Sequence, residues 1–194
     1  MRTIFKLVLA GLIGYPFTVP PLALAQIVPD ESLGSERSVV SPSSTGDLIS
    51  GGATRGSNLF HSFEDFNIQS GQGAYFMGSD DFSVIFSRVT GNNPSSILGR
   101  LGILNSNADL VFLNRNGIIF GPNASLELSG SFIGTTADSI QFADGTVLSS
   151  SEVDAIPILT SSIPVGLGFT SASEISVQDA GHTYIGNTFA PIQE

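Results

Sequence analysis

Short apolar runs, cut at close intervals by turn-forming residues, make up most of this chain. Typical runs are Leu59–Ile68, Phe82–Val89 and Leu110–Leu113, and Asn, Gly and Ser cluster between them. Strands favour apolar runs rich in β-branched and aromatic residues, whereas tight turns favour Gly and Asn. No long window repeats with the period of an amphipathic helix. The pattern therefore predicts an all-β protein.

The strand and turn boundaries follow from this alternation. The predicted strands are Leu59–Ile68, Ala74–Phe76, Phe82–Val89, Leu110–Leu113, Gly117–Phe120, Ser125–Leu128 and Ser139–Phe142. The predicted turns are Ser41–Gly46, Gly51–Gly56, Gly91–Ser96, Asn114–Gly117, Gly121–Asn123 and Ala143–Gly145. Beyond Gly145 we expect less regular β-coils with strands at Val165–Phe169 and Glu174–Val177, and a disordered tail at Asn187–Glu194.

The pattern alone leaves two all-β architectures open. Ile118-Ile119-Phe120 is apolar at every position, which suits a strand covered on both faces or stacked in a coil. Asn107-Ala108-Asp109-Leu110 has an echo in Asn123-Ala124-Ser125-Leu126, sixteen residues later. Solenoid coils have periods of about this size or somewhat longer. A sandwich with regular hairpins would show a similar pattern.

The N-terminus has the layout of a secretory signal peptide. Arg2 and Lys6 form a basic start, Leu7–Tyr15 is apolar, and small residues up to Ala25 offer a cleavage site. The apolar run is shorter than the roughly 20 residues that span a bilayer. We expect a signal peptide at 1–25, with a retained anchor or a buried helix as alternatives.

The charge balance makes some partners unfavourable. All 17 acidic residues lie after Ala25 with only five basic ones, all Arg, so the mature net charge is −12. Such a surface repels nucleic acid and anionic membranes and complements a basic partner. The chain has no cysteine, so its stability must come from packing and ladder hydrogen bonds rather than disulfides.

Three ordered blocks of the sequence share their motifs with one known family. Gly56–Phe66 contains LFHSF-x-x-F, Ser87–Gly99 contains RVTG-x-x-PS-x-I-x-G, and Asn114–Gly121 is similar to NPNGI-x-FG. In these blocks the chain resembles the filamentous-haemagglutinin N-terminal (haemagglutination activity) domain of two-partner secretion exoproteins. We place the domain at 26–186, with the resemblance strongest over 28–145.

The resemblance implies a right-handed parallel β-helix (β-solenoid) with an N-terminal β cap. It also implies a route of export from a double-membraned bacterium. The Sec machinery delivers the chain to the periplasm, and periplasmic modules of an outer-membrane β-barrel transporter recognise it. The chain then crosses the pore unfolded and folds outside, secreted or at the cell surface. Family adhesins bind host-cell or glycan surfaces.

The chain departs from the family pattern in two ways. Arg115 stands where the family has proline, which would fix φ and stiffen the turn. Family exoproteins also continue through long β-helical repeats, whereas this sequence stops at Glu194. A truncated exoprotein, a stand-alone domain and a remnant all stay open.

The third block supplies the candidate recognition residues. On the resemblance, we expect Asn114, Asn116, Gly117 and Ile118 to take part in recognition by the transporter. The competing interpretation is structural, because Asn tolerates the left-handed conformation and can ladder its amide between coils. The residues expected to serve the fold of the motifs are His61, Phe63, Arg88, Gly91, Phe120 and Gly121.

Candidate chemistry is sparse. His61 has Ser62 and Asp65 nearby in sequence, but no nucleophile elbow is present. Asp80-Asp81 could be calcium ligands or glycosidase acids, and it equally fits a solvated turn. Arg88, in an apolar strand, is expected to pair with an acid, to snorkel or to contact a partner. We predict no catalytic site, metal or cofactor.

Two functional classes follow. The first is a non-enzymatic secretion and adhesion module. The second is a β-helical polysaccharide-active enzyme. Lyases of that shape generally need basic side chains for acidic sugars, and the mature chain has no lysine.

Overall fold

The computed structural model describes residues 27–151 and 159–178, together with the backbone of strands 182–185 and 188–191. The predicted signal peptide lies outside these residues. The first ten strands are β1 (Ile27–Pro29), β2 (Ser38–Pro42), β3 (Asp47–Gly51), β4 (Ala53–Arg55), β5 (Asn58–Phe66), β6 (Gly73–Met77), β7 (Val84–Val89), β8 (Ser95–Ile97), β9 (Arg100–Leu104) and β10 (Asp109–Asn114). The remaining strands are β11 (Ile118–Phe120), β12 (Ser125–Glu127), β13 (Phe132–Thr135), β14 (Ser139–Phe142), β15 (Val147–Ser149), β16 (Pro164–Gly168), β17 (Ile175–Val177), β18 (His182–Ile185) and β19 (Thr188–Pro191).

Helix is nearly absent from the part of the chain that the structure describes. One 3₁₀ helix, Gly34–Glu36, follows β1. The described residues include no helix with the length and hydropathy of a membrane-spanning segment.

Parallel strands stack into three faces. Face A contains β5, β7, β10 and β13, face B contains β3, β6, β9 and β12, and face C contains β8, β11 and β17. Asn58 pairs with Val84 on face A, 26 residues later, and Gly73 pairs with Arg100 on face B, 27 residues later. The chain visits the faces in turn and makes a β-solenoid of about 3 turns.

The first coil is closed by an antiparallel cap. β1 and β4 pair with the two halves of β5, and β2 pairs with β3. A sheet edge left open would offer unpaired backbone groups to other chains, and the cap occupies this one. The predicted fold class, a right-handed parallel β-helix with an N-terminal β cap, is confirmed.

The solenoid interior is a stack of apolar side chains from all three faces. Phe63, Phe66, Phe76 and Phe112 are buried there, with ring centroids 5.1 Å apart for Phe63 and Phe66 and 5.0 Å for Phe66 and Phe112. Aromatic pairs at such distances add to the stabilisation from area burial.

A second core lies on the outside of face A. An antiparallel sheet, in the order β15-β14-β16, covers this surface. Phe60 and Phe86 stack with centroids 5.0 Å apart, and Phe142 of the outer sheet packs 5.4 Å from Phe86. This layer explains why strands of face A are apolar on both sides, as in Leu110–Leu113 of β10.

Several predicted elements are wrong in position or role. β4 lies inside the predicted turn Gly51–Gly56, and β8 begins within the predicted turn Gly91–Ser96. The sixteen-residue echo is not the coil period, because Asp109 begins β10 on face A and Ser125 begins β12 on face B. Parallel strands that pair on one face are 22 to 27 residues apart where no insertion intervenes.

The C-terminal part is only partly solenoidal. β17 stacks on β11 as a coil strand, but β16 belongs to the outer sheet instead of a further coil. The four apolar side chains of Ile163, Val165, Leu167 and Phe169 are exposed along and beside β16. Thr188–Pro191 forms β19, paired with β18, where a disordered tail was expected. The flanking residues 186–187 and 192–194 lie outside the described residues, so the prediction for them stays a prediction.

Candidate functional site

The candidate recognition residues lie at one corner of the solenoid, where face A strands end. We call the residues 91–95 and 114–118 the Asn/Gly corner. Asn114 is fully buried at the end of β10, and its Nδ2 atom donates to Asn93 O at 3.1 Å and to Ser95 Oγ at 2.9 Å. The corner therefore joins the third sequence block to the second, one coil earlier.

The second Asn of the block closes the turn. Asn116 N donates to Asn114 Oδ1 at 2.9 Å, and Asn116 Nδ2 donates to Gly91 O at 2.7 Å. Gly117 N donates to Asn114 O at 3.2 Å, and Gly117 O accepts from Ser95 N at 3.0 Å. Both amide side chains are thus committed to contacts inside the protein.

Glycine is needed at two positions of the corner for different reasons. Gly117 has φ +122°, a conformation that L side chains rarely adopt. A Cβ atom on Gly91 would lie 2.2 Å from Glu64 O of the preceding coil. The laddering part of the structural interpretation of Asn114 and Asn116 agrees with these contacts. The left-handed part is wrong, because Asn105 is the only non-glycine residue with positive φ among the described ones.

Ile118 and Gly121 complete the third block. Ile118 is fully buried in the solenoid core, where it pairs with Ser95 and Ile175. Gly121 lies close to the neighbouring coil, and a Cβ atom there would meet Leu98 Cδ2 at 2.6 Å. Phe120 packs edge-on against Phe132, with centroids 5.9 Å apart.

Arg115 occupies the turn between the two Asn residues. Its Nε atom is buried and has no hydrogen-bond partner. A backbone hydrogen bond from Thr170 is the main reason for the lowered pKa of Asp138, and the charge of Arg115 contributes to the same shift. The turn is closed without proline, by the bonds of Asn114 to Asn116 and Gly117.

Arg88 is buried on the outer side of face A. Its side chain is 1% exposed, and Nε donates to Ser62 Oγ at 2.8 Å and Nη2 to Ser32 Oγ at 2.7 Å. Its Nη1 donates to Ser149 O of the outer sheet. The guanidinium therefore joins the N-terminal segment, two coils and the outer sheet.

Asp30 binds the same two serines from the other side. Its Oδ1 atom accepts from Ser32 Oγ at 2.6 Å, and its Oδ2 atom accepts from Ser62 Oγ at 2.6 Å and from Thr90 Oγ1 at 2.7 Å. Burial raises the pKa of Asp30, but the hydrogen bonds together outweigh it and the pKa is lowered. Sequence reasoning missed Asp30, whose only signal is a charge directly after an apolar segment.

His61 points into the solenoid as a neutral residue. Burial lowers the pKa of His61 to about 3. Its Nδ1 atom lies 3.0 Å from Ser38 Oγ, and its Nε2 atom has no hydrogen-bond partner. Ser87, its Cα partner on β7, also has a buried hydroxyl without a partner. Neither Ser62 nor Asp65 hydrogen-bonds the imidazole, so these neighbours in sequence form no triad with it.

The acidic pair Asp80-Asp81 lies exposed in the turn before β7. Within the described ranges, no group of three or more His, Cys, Asp or Glu side chains could hold a metal ion.

The model of the TPS secretion domain family matches residues 25–190. The chain belongs to this family, the secretion domain of two-partner secretion exoproteins. The match includes all three blocks and the outer sheet, and it extends past the stretch where the resemblance is strongest. A search of the curated proteins finds no match for the chain. The TPS domain implies an outer-membrane transporter as partner.

Proposed function

We propose that this TPS domain is a non-enzymatic export signal, read in the periplasm by modules of a cognate outer-membrane β-barrel transporter. The Sec machinery delivers the chain to the periplasm, and the domain folds as a solenoid at the outer surface. The observation that carries the proposal is the Asn/Gly corner. There the family's second and third blocks, about 25 residues apart, bond directly through Asn114 and Asn116.

The burial of this corner bears on when recognition occurs. Asn114 and Ile118 are fully buried, and the Nδ2 atoms of both Asn residues are used by Gly91, Asn93 and Ser95. A partner cannot reach Asn114 or Ile118 once the domain has folded. In this proposal the transporter therefore recognises the 114–118 segment in the unfolded chain.

Once the domain has folded, the transporter can no longer bind the 114–118 segment. The same amides that served recognition become coil-to-coil bonds, so the folded domain no longer competes for the transporter. A solenoid gains stability coil by coil, so folding can start at one end and propagate. The chain contains no cysteine, so no disulfide hinders passage of an extended chain through a pore.

The test is a secretion assay in cells that carry the transporter. Asn114→Ala and Asn116→Ala should accumulate in the periplasm, whereas Asn107→Ala, at an exposed Asn outside the corner, should be secreted normally. Phe142→Ala serves as the control for folding, since it removes a buried ring of the outer sheet and leaves the corner intact. Normal export of Asn114→Ala, or equal periplasmic retention of Phe142→Ala, would contradict reading of the unfolded segment.

The alternative function, a β-helical polysaccharide-active enzyme, has its own test. The purified domain would have to cleave a glycan, and its gene would lack a neighbouring transporter gene. The proposal expects the transporter gene to be adjacent and glycans to stay intact. Adhesion to host-cell or glycan surfaces is a further proposal from the family, tested by binding of the secreted domain to cells.

A further inference from the structure

The turn of the Asn/Gly corner contains a chemically reactive dipeptide. Asn116-Gly117 is the only Asn–Gly pair in the sequence. Glycine lacks a Cβ, so its backbone nitrogen can approach the preceding side-chain amide with little hindrance. Asn–Gly is for this reason the dipeptide most prone to spontaneous deamidation.

We propose that Asn116-Gly117 is a deamidation site that folding protects. In the reaction, the deprotonated backbone N of Gly117 attacks Cγ of Asn116, and the new C–N bond closes a succinimide. The Cγ–Nδ2 bond breaks, and Nδ2 leaves as ammonia after taking from water a proton equivalent to the one that Gly117 N gave up. Water then opens the ring at either carbonyl, which gives aspartate or isoaspartate. Water is the only co-reactant.

In the folded corner, hydrogen bonds hold both reacting groups in place and oppose ring closure. Gly117 N donates its proton to Asn114 O at 3.2 Å, so the nucleophile is engaged in a hydrogen bond. Asn116 Nδ2 donates to Gly91 O at 2.7 Å, which fixes the side-chain amide on the neighbouring coil. Ring closure needs both hydrogen bonds to break. The unfolded chain has none of these restraints.

The product does not fit the corner. A carboxylate at position 116 would place an oxygen beside Gly91 O, and beside Asn114 Oδ1, which lies 3.4 Å from Asn116 Nδ2. Two hydrogen-bond acceptors would then lie beside a negatively charged carboxylate in a partly buried site, without a hydrogen atom to form a bond. Isoaspartate would also lengthen the backbone within a turn that Gly117 closes. A chain that stays unfolded too long therefore loses the residue that locks its corner.

The first experiment measures the reaction itself. The purified mature chain is incubated at mildly alkaline pH, once native and once held unfolded in guanidinium chloride, and position 116 is followed by peptide mapping and mass spectrometry. We expect conversion in the unfolded sample and many-fold slower conversion in the native one. Equal rates in both states, or no conversion in the unfolded state, would overturn the proposal.

Internal controls come from the same digests. Asn105 and Asn123 are followed by Ser106 and Ala124, which are larger than glycine. Both Asn residues should therefore convert more slowly than Asn116 when the chain is unfolded. Gly117→Ala should slow conversion several-fold in denaturant, where its effect on folding plays no part. Unchanged conversion of this variant would show that Gly117 does not set the reactivity.

The second experiment measures the consequence of the modification. Asn116→Asp should lower the denaturation midpoint of the domain, whereas Asn123→Asp, at an exposed turn, should leave it unchanged. Wild-type stability of Asn116→Asp would refute the claim that the product is incompatible with the corner. Neither experiment involves the transporter, so its result is independent of the proposed export function.

Discussion

The Nδ2 atom of Asn114 lies 2.9 Å from the Oγ atom of Ser95, which belongs to the preceding coil. Both groups are fully buried, so this bond is made inside the solenoid and not on its surface. It joins two stretches that the sequence shows only as separate blocks. The contact makes Asn114 a structural tie between coils in the folded domain.

Removal of this tie should destabilise the domain. Asn114→Ala leaves the fully buried Ser95 Oγ without the amide that bonds it, and a buried unsatisfied group costs about 1–3 kcal/mol. We expect a lower urea midpoint for Asn114→Ala and an unchanged one for Asn107→Ala, at an exposed position. Equal midpoints for the two variants would contradict the structural role of the corner.

Substitution of Arg88 should lower the stability of the domain far more than substitution of an exposed arginine. Arg88→Met removes the donor that bonds Ser32, Ser62 and Ser149 O, and loss of one partner from a buried charged network costs about 3–5 kcal/mol. Arg100→Met removes a half-exposed contact to Glu127 at 3.7 Å, where surface pairs contribute about 0–1 kcal/mol. Chemical denaturation of both variants measures the difference. Similar losses would argue against the network.

Alanine substitutions at two serines on neighbouring strands should have different effects on the stability of the domain. Ser62 Oγ bonds both Asp30 and Arg88, so Ser62→Ala should lose about 1–3 kcal/mol of stability. Ser87 Oγ is buried with no partner, so Ser87→Ala should be neutral or stabilising. A large loss for Ser87→Ala would mean that a water molecule or His61 satisfies this hydroxyl.

His61 should make stability depend on pH in a defined direction. The unfolded imidazole binds a proton below about pH 6.5, whereas burial holds the pKa of folded His61 at about 3. The unfolded state thus binds more protons between these values, so stability is full above pH 6.5 and falls as the pH is lowered. The slope attributable to His61 is about 1.4 kcal/mol per pH unit.

To isolate this slope, two glutamine variants are compared between pH 6 and pH 5. This interval lies above the pH range in which titration of carboxylates dominates the unfolding free energy. His61→Gln should remove most of the dependence of the unfolding free energy on pH, and His182→Gln should retain it. The opposite pattern would show that His61 is not the group that titrates.

The sequence predicted those parts of the fold in which local pattern and tertiary role agree. β5, β7 and β10 are long and apolar, and each was predicted within two residues at either end. β8 was missed because Ser95 and Ser96 resemble a turn, and only pairing with β11 makes the segment a strand. The coil period was also missed, since the echo compares strands of different faces.

The candidate site was predictable as a motif but not as a structure. Asn114, Asn116 and Gly117 were identified from the third block, yet nothing local shows that their partners are Gly91, Asn93 and Ser95. The link between Arg88 and Asp30 spans nearly sixty residues, and two serine hydroxyls transmit it. Contacts at such separation arise from coil stacking, which a single sequence does not display.

We propose that the transporter recognises the 114–118 segment before the domain folds. The most direct measurement is binding of the transporter's periplasmic modules to two forms of the chain. One is the native domain, and the other is a Phe63→Ala, Phe66→Ala chain, which we expect not to fold because it loses two buried rings. If recognition precedes folding, the modules should bind the unfolded chain and should not bind the native domain. Adding Asn114→Ala and Asn116→Ala to the unfolded chain should abolish binding. Equal or tighter binding to the native domain would contradict the proposal.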